Sequence, residues 1–282
     1  MTGTKIVKLN LEGGANVKLP SLRETAVDHK AVEKAIRIYE ETKSPMIDGF
    51  IPTEGQKLQE LEEEYYQKIM KATKGLNVNS DQLQEVVDYL QADFGREMRY
   101  TQNGYFLTAL IRHSKFSEFT IRPKEHLHDV GFRLNADKTI IIEGNVGGGV
   151  GTEMEAGTII IKGDAGSYTG YGMKGGRIHI LGNAEDGTAA RMEAGDIIVE
   201  GNSGKNTGEH MHGGSLEVGG SAGDYTALGM EAGKIYIKRN SGVETAYSMA
   251  GGTLKVDGRI KDISVMYEAG TIIEAGTQVR PL

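Results

Sequence analysis

From residue 139 onward the chain repeats one pattern of apolar and polar positions every 19 residues. Segments begin at Thr139, Thr158, Arg177, Asp196, Ser215, Lys234 and Thr253, with a partial eighth at Thr271. Each opens with aliphatic residues at its second and fourth positions, from Ile140 and Ile142 to Leu254 and Val256. The residue between them varies freely, as Ile141, His179, Glu217 and Lys255 show. A period of two with one apolar face predicts a short strand whose second and fourth positions point inward. Such a unit cannot bury its apolar pair alone, so each strand must stack on its equivalent in the next segment. The prediction is mainly β: a right-handed parallel β-helix of 19-residue coils, its hand following the preference of parallel crossovers. Stacked at about 4.8 Å per coil, the segments make a rod roughly 35 Å long.

Other rows keep the same register. Met154, Met173, Met192, Met211, Met230 and Met249 recur at position sixteen, and a closing glycine follows three residues later, from Gly157 to Gly252. The methionines are expected to form a stacked core row, since their flexible side chains fill irregular gaps. Thr169, Thr188, Thr207, Thr226 and Thr245 are expected to form a hydrogen-bonded ladder. A glycine after the strand is usually followed by Asn or Asp, a pair suited to left-handed backbone at a tight corner. The segment Ile140, Ile142, Asn145 imitates a leucine-rich repeat, but Ala or Gly occupies the flanking positions where that repeat needs apolar residues.

The first 138 residues follow a different period. Helical spacing appears over residues 31–43, over 56–74 with Leu58, Leu61, Tyr65 and Ile69 on one face, and in a short stretch from Tyr105 to Arg112. Another helix has Ser80 as its expected N-cap, followed by Leu83, Val86, Val87 and Leu90. Residues 119–122 and 131–134 read as strands of a coil leading into the repeat. The organisation expected is therefore a mostly helical N-terminal domain (1–118), an irregular connecting coil (119–138) and the β-helix (139–282). The end of a β-helix exposes unpaired backbone groups, and the helical segment is expected to cover it or to present the rod to a partner.

Composition sharpens this division. Of 40 glycines, 9 precede residue 139 and 31 follow it. The absence of cysteine removes disulfides, thiolate metal sites and cysteine nucleophiles. A net charge of −7 gives no electrostatic case for nucleic acid or anionic lipid. The first ten residues lack the apolar core of a secretory signal, and no apolar run is long enough for a membrane span. A cytoplasmic protein is expected.

The glycine spacing carries a family resemblance. Gly144-x-x-Gly147-x-x-x-Gly151, Gly163-x-x-Gly166-x-x-x-Gly170 and Gly201-x-x-Gly204-x-x-x-Gly208 resemble the GXGXG repeat found in two places: the C-terminal domain of the large chain of glutamate synthase, and the GXGXG-bearing component of formylmethanofuran dehydrogenase. The M-x-x-G closing each coil is more similar to the latter. The resemblance covers residues 139–282. It implies a right-handed β-helix without catalytic residues, docked beside the domains or subunits that perform the chemistry. Departures fall at Glu185 in place of the middle glycine, at Ala189, Ala227 and Ala246 in place of the last, and at Arg239 in place of the first.

Candidate chemistry is sparse. Gly170-x-Gly172-x-x-Gly175 matches a dinucleotide fingerprint as a string but lies inside a coil, where the strand–turn–helix context is missing. Gly147 to Gly151 lacks the Lys and Ser/Thr of a phosphate loop. Glu125, His126, His128 and Asp129 form the densest potential metal cluster; on an extended segment His126 and His128 share a face, with His113 as a further ligand. The competing reading is a solvated loop. His210 and His212 are expected at the surface. No catalytic residue and no cofactor on this chain are expected. The reading is a noncatalytic docking subunit of an oxidoreductase complex, its partners being catalytic subunits or a second copy. The alternatives are a metal-binding protein or enzyme with a site around His126 and His128, and a self-assembling scaffold.

Overall fold

The structure, a computed structural model, describes residues 8–10, 16–18, 29–42, 55–92, 100–124 and 127–279. The strands β1 (Lys8–Asn10) and β2 (Asn16–Lys18) pair antiparallel. Four helices follow: α1 (His29–Thr42), α2 (Gly55–Thr73), α3 (Ser80–Ala92) and α4 (Tyr100–His113). Then comes a solenoid whose strands are β3 (Glu118–Ile121), β4 (Thr139–Ile142), β5 (Thr158–Ile161), β6 (Lys174–Ile180), β7 (Ala194–Val199), β8 (Ser215–Val218), β9 (Lys234–Ile237), β10 (Ala250–Val256) and β11 (Ala269–Glu274). They stack in chain order as one parallel sheet, and β12 (Thr277–Val279) turns back antiparallel on β11.

The apolar pairs behave as their period requires. Ile140 pairs with Ile159 and Ile142 with Ile161, and this register continues to Leu254 and Val256. All of these side chains are buried. The one-residue deletion in the last full segment appears as a register shift, Thr253 pairing with Thr271.

The return path of each coil is a run of turns, with left-handed backbone at alternate positions. In one coil these are Tyr168, Gly170 and Gly172, and in the next Gly187, Ala189 and Arg191. The glycine at the middle of each trio faces the core. A Cβ on Gly151, Gly170 or Gly208 would fall on the Cδ1 methyl of Ile178, Ile197 or Ile235, each 27 residues further on. Where alanine takes this place, at Ala189 and Ala227, the residue 27 positions further is Leu216 or Leu254. At these two places alanine enters where leucine carries no β-branched isoleucine arm. Ala246 differs, since the shortened coil puts Ile272 at the equivalent position, and nothing in the structure explains that alanine.

Two expectations about the rows are corrected. The threonines are fully buried, but each hydroxyl donates within its own coil, Thr169 to the Gly166 carbonyl at 2.9 Å and Thr226 to the Gly223 carbonyl at 2.9 Å. The axial ladder is made by the residue after the first glycine instead. The side-chain oxygens of Asn145, Asp164, Asn183 and Asn202 accept the backbone N–H one coil on, at 2.7 to 2.9 Å. These residues tie coil to coil, and their backbones are not left-handed. The methionine row is fully buried as expected.

The connecting segment winds as a first coil. Phe119 and Ile121 pair with Ile140 and Ile142. Asp129, Gly131 and Arg133 have the left-handed backbone of the later trios. Residues 131–134 are therefore a turn, not the strand expected: the amide of Leu134 donates to the Gly131 carbonyl at 3.1 Å, and apolar content at Phe132 and Leu134 reflects packing.

Helix α3 covers the first rung. Asn79, not Ser80, caps it: the Gln82 amide donates to Asn79 Oδ1 and the Asn79 amide to Gln82 Oε1, both at 2.9 Å, a reciprocal capping box. Ser80 is released to serve the sheet edge, donating to the Glu118 carbonyl and accepting from the Thr120 amide, each at 3.2 Å. One turn on, Gln84 accepts from the Arg122 amide at 2.7 Å and donates to its carbonyl at 3.1 Å. Gln91 accepts from the Lys124 amide at 2.9 Å. Ser80, Gln84 and Gln91 thus substitute for a missing neighbouring strand, which removes the open edge.

Helix α4 begins at Tyr100, five residues before the expected start, although Asn103 and Gly104 are weak helix formers. Packing decides: a Cβ on Gly104 would strike the His128 carbonyl, and Thr108 Oγ1 accepts the Gly131 amide at 2.8 Å. On α2, Tyr65 and Ile69 are buried; the side chains of Leu58 and Leu61 lie outside the described residues.

Arg133 links α2 to the solenoid. It pairs with Glu63 and, at 2.9 Å, with Glu153, and its guanidinium lies 5.5 Å from the Tyr66 ring and 5.0 Å from that of Phe132. Partial burial opposes its charge, but the two carboxylates outweigh this and raise its pKa. Glu63 is held below the ordinary carboxylate value by hydrogen bonds from Gln67 and Arg133.

Candidate functional site

The ninth position of most coils holds a glycine against the backbone of the coil below. Gly166, Gly204, Gly223 and Gly242 occupy it, and a Cβ on any of them would overlap the preceding coil. Glu185 stands at this position in the third segment and Lys261 in the shortened seventh. A place where a sequence breaks its own packing rule is a candidate for function. Its carboxylate lies on the surface, where it accepts from the Ser167 hydroxyl at 2.9 Å.

Glu185 lines a groove of about 560 Å³ together with His128, Asp129, Gly148, Gly149, Thr152, Ser167, Tyr168 and Tyr171. A second groove, of about 450 Å³, shares Ser167 and Glu185 and continues past Asn183, Asp186 and Asn202. Tyr168 is 53% exposed, and its ring meets Tyr171 edge-on at 6.2 Å between centroids. The ring lies over Gly187, one coil on, whose missing Cβ leaves it room. His128 lies over Gly147 and His210 over Gly229 in the same way. The groove is therefore a wall of stacked turns, and its rings rest on glycines of the next coil.

His126 lies outside the described residues. His128 reaches the groove, and its Nδ1 accepts the Gly148 amide at 3.1 Å. Asp129 lines the same groove. His113 does not: it ends α4, where its Nδ1 is 3.0 Å from the Thr73 hydroxyl, and burial holds its pKa below the ordinary histidine value. Among the described residues, no three His, Cys, Asp or Glu side chains group to hold a metal. His210 and His212 are exposed, as expected, and His212 pairs with Glu231 at 3.1 Å. Gly170 and Gly172 belong to a turn trio, and no helix follows them. No helix among the described residues is long and apolar enough to cross a membrane. Sequence reasoning missed Tyr168, Tyr171 and Ser167; the signal that leads to them is Glu185, the break in the glycine row.

No curated protein matches the chain. Among solved structures, the chain is similar to one in the crystal structure of the formyltransferase/hydrolase complex (FhcABCD) from Methylorubrum extorquens with methylofuran, at 31% identity and a TM-score of 0.47. The similarity takes in 50% of this chain and 56% of that one, so the chain spans little more than half the length of its solved relative. The family model described as the GXGXG motif matches residues 128–256, from the first turn to the last strand of the regular repeat. That segment is a GXGXG-motif solenoid.

Proposed function

We propose that this chain is a noncatalytic docking subunit that holds catalytic partner subunits at fixed separation along a stiff ladder. One observation carries the reading: α3 covers the edge of the first rung, while a groove with an exposed aromatic and a carboxylate opens on the side. With that end closed, the rod offers its flank. Stiffness follows from the axial hydrogen bonds, each worth about 1 kcal/mol, repeated at every coil. The partners supply the chemistry; formyl transfer and hydrolysis, named for the similar solved assembly, and the oxidoreductase reactions of the resembled families are the activities to assay. The test is isolation of the tagged full chain from its own host, with the mass of the intact assembly measured. Stoichiometric catalytic subunits are expected, and a lone monomer under mild conditions would end the proposal.

A further inference from the structure

We infer that the groove beside Glu185 receives an arginine side chain of a partner protein, its guanidinium paired with the Glu185 carboxylate and packed on the Tyr168 ring. The inference rests on the docking reading and names the chemistry of the partner at that site.

Three observations converge on it. Glu185 takes a place where most coils hold a close-packed glycine, and it brings a carboxylate there. Among the described residues, that carboxylate accepts from the neutral Ser167 hydroxyl, and no Lys, Arg or His pairs with it. Beside it, the exposed Tyr168 ring meets Tyr171 edge-on. Asp186 adds negative charge to the adjoining groove. Carboxylate, aromatic face and negative potential together suit a planar cation: a guanidinium can bond the carboxylate through two N–H groups while stacking on a ring. An anionic partner segment would meet like charge, and an aliphatic one would leave the carboxylate buried and unpaired.

The assembly isolated on the tagged chain provides the test. Glu185→Lys and Tyr168→Ala are each expected to weaken partner retention about tenfold or more at about 0.15 M salt, while Glu231→Lys, at another corner, leaves it unchanged. Phenylglyoxal footprinting by mass spectrometry should find one partner arginine protected in the wild-type assembly and reactive with Glu185→Lys or the milder Glu185→Gln. Melting curves of the variants separate loss of docking from loss of fold. If the assembly forms but neither retention nor arginine reactivity responds to these changes, the inference falls and the docking reading stands. A protected lysine, or a second copy of this chain as the occupant, would also overturn it. If the wild-type chain isolates alone, the docking reading fails and the inference with it.

Discussion

The Cδ1 methyl of Ile197 occupies the place that a Cβ on Gly170 would need. The chain itself shows how this constraint is relieved, since Ala189 and Ala227 face Leu216 and Leu254. Gly170→Ala should destabilise the solenoid by about 2 kcal/mol, from overpacking and left-handed backbone together. Adding Ile197→Leu should recover about half of that or more. Chemical denaturation of the two variants and the double variant measures the coupling; strict additivity would refute the pairing.

Helix α3 protects the first rung through three side chains. Gln84→Ala should cost about 1 to 2 kcal/mol, because it strands both the amide and the carbonyl of Arg122. Changing Ser80, Gln84 and Gln91 together to alanine should open the edge of β3 and produce concentration-dependent association, visible by light scattering. A triple variant that stays monodisperse and melts normally would show that α3 covers the edge by bulk alone.

His113 supplies a pH dependence. Its folded pKa lies below the ordinary value of 6.5 because burial, then Arg112 and Lys74, disfavour the imidazolium. The unfolded chain therefore binds the proton first as pH falls. The contribution of neutral His113 is complete above that unfolded value and declines below it, until the folded histidine also titrates. Melting temperature should fall as pH drops below about 6.5, and His113→Gln should flatten that slope. Identical slopes in the two proteins would assign it elsewhere.

Arg133 joins the helices to the solenoid through two carboxylates and two rings. Arg133→Ala takes the shared cation from Glu63 and Glu153, leaving Glu153 only the longer pairing with Lys174 at 3.7 Å, and removes packing over Tyr66 and Phe132. The expected cost is about 1 to 3 kcal/mol, together with loss of cooperativity, the helices exchanging amide hydrogen before the coils do. Uniform exchange across both parts would contradict this.

His128 tests what holds the groove's first turn. Its bond to the Gly148 amide and its position over Gly147 give it a structural task. His128→Ala should lower the melting temperature by an amount that a chelator does not alter. A chelator-sensitive wild type, with stoichiometric metal in elemental analysis lost in both His126→Ala and His128→Ala, would instead make the pair a metal site.

The solenoid is legible in the sequence because an identical demand falls on each coil. Ile140 and Ile142 alone would suit any buried strand, but seven pairs in one register admit only stacking. The role of Asn145 is less legible, because an Asn after Gly serves equally as a turn residue and as an acceptor for the next coil, and only the geometry of two coils distinguishes them. The early start of α4 is hidden for a related reason: Gly104 weakens a helix locally, and what favours it there is the His128 carbonyl, 24 residues away in the chain. The groove is half legible. Glu185 stands out against the glycine row, whereas Tyr168 and Tyr171 sit at positions where the repeat tolerates many residues.

Because α3 closes the first rung independently of how many turns follow it, the number of turns can change without redesigning that terminus. Inserting or deleting one 19-residue unit would shift everything attached beyond it by a single fixed increment of about 4.8 Å. Such a molecule works like a gauge block, its span adjustable in whole steps by gene duplication.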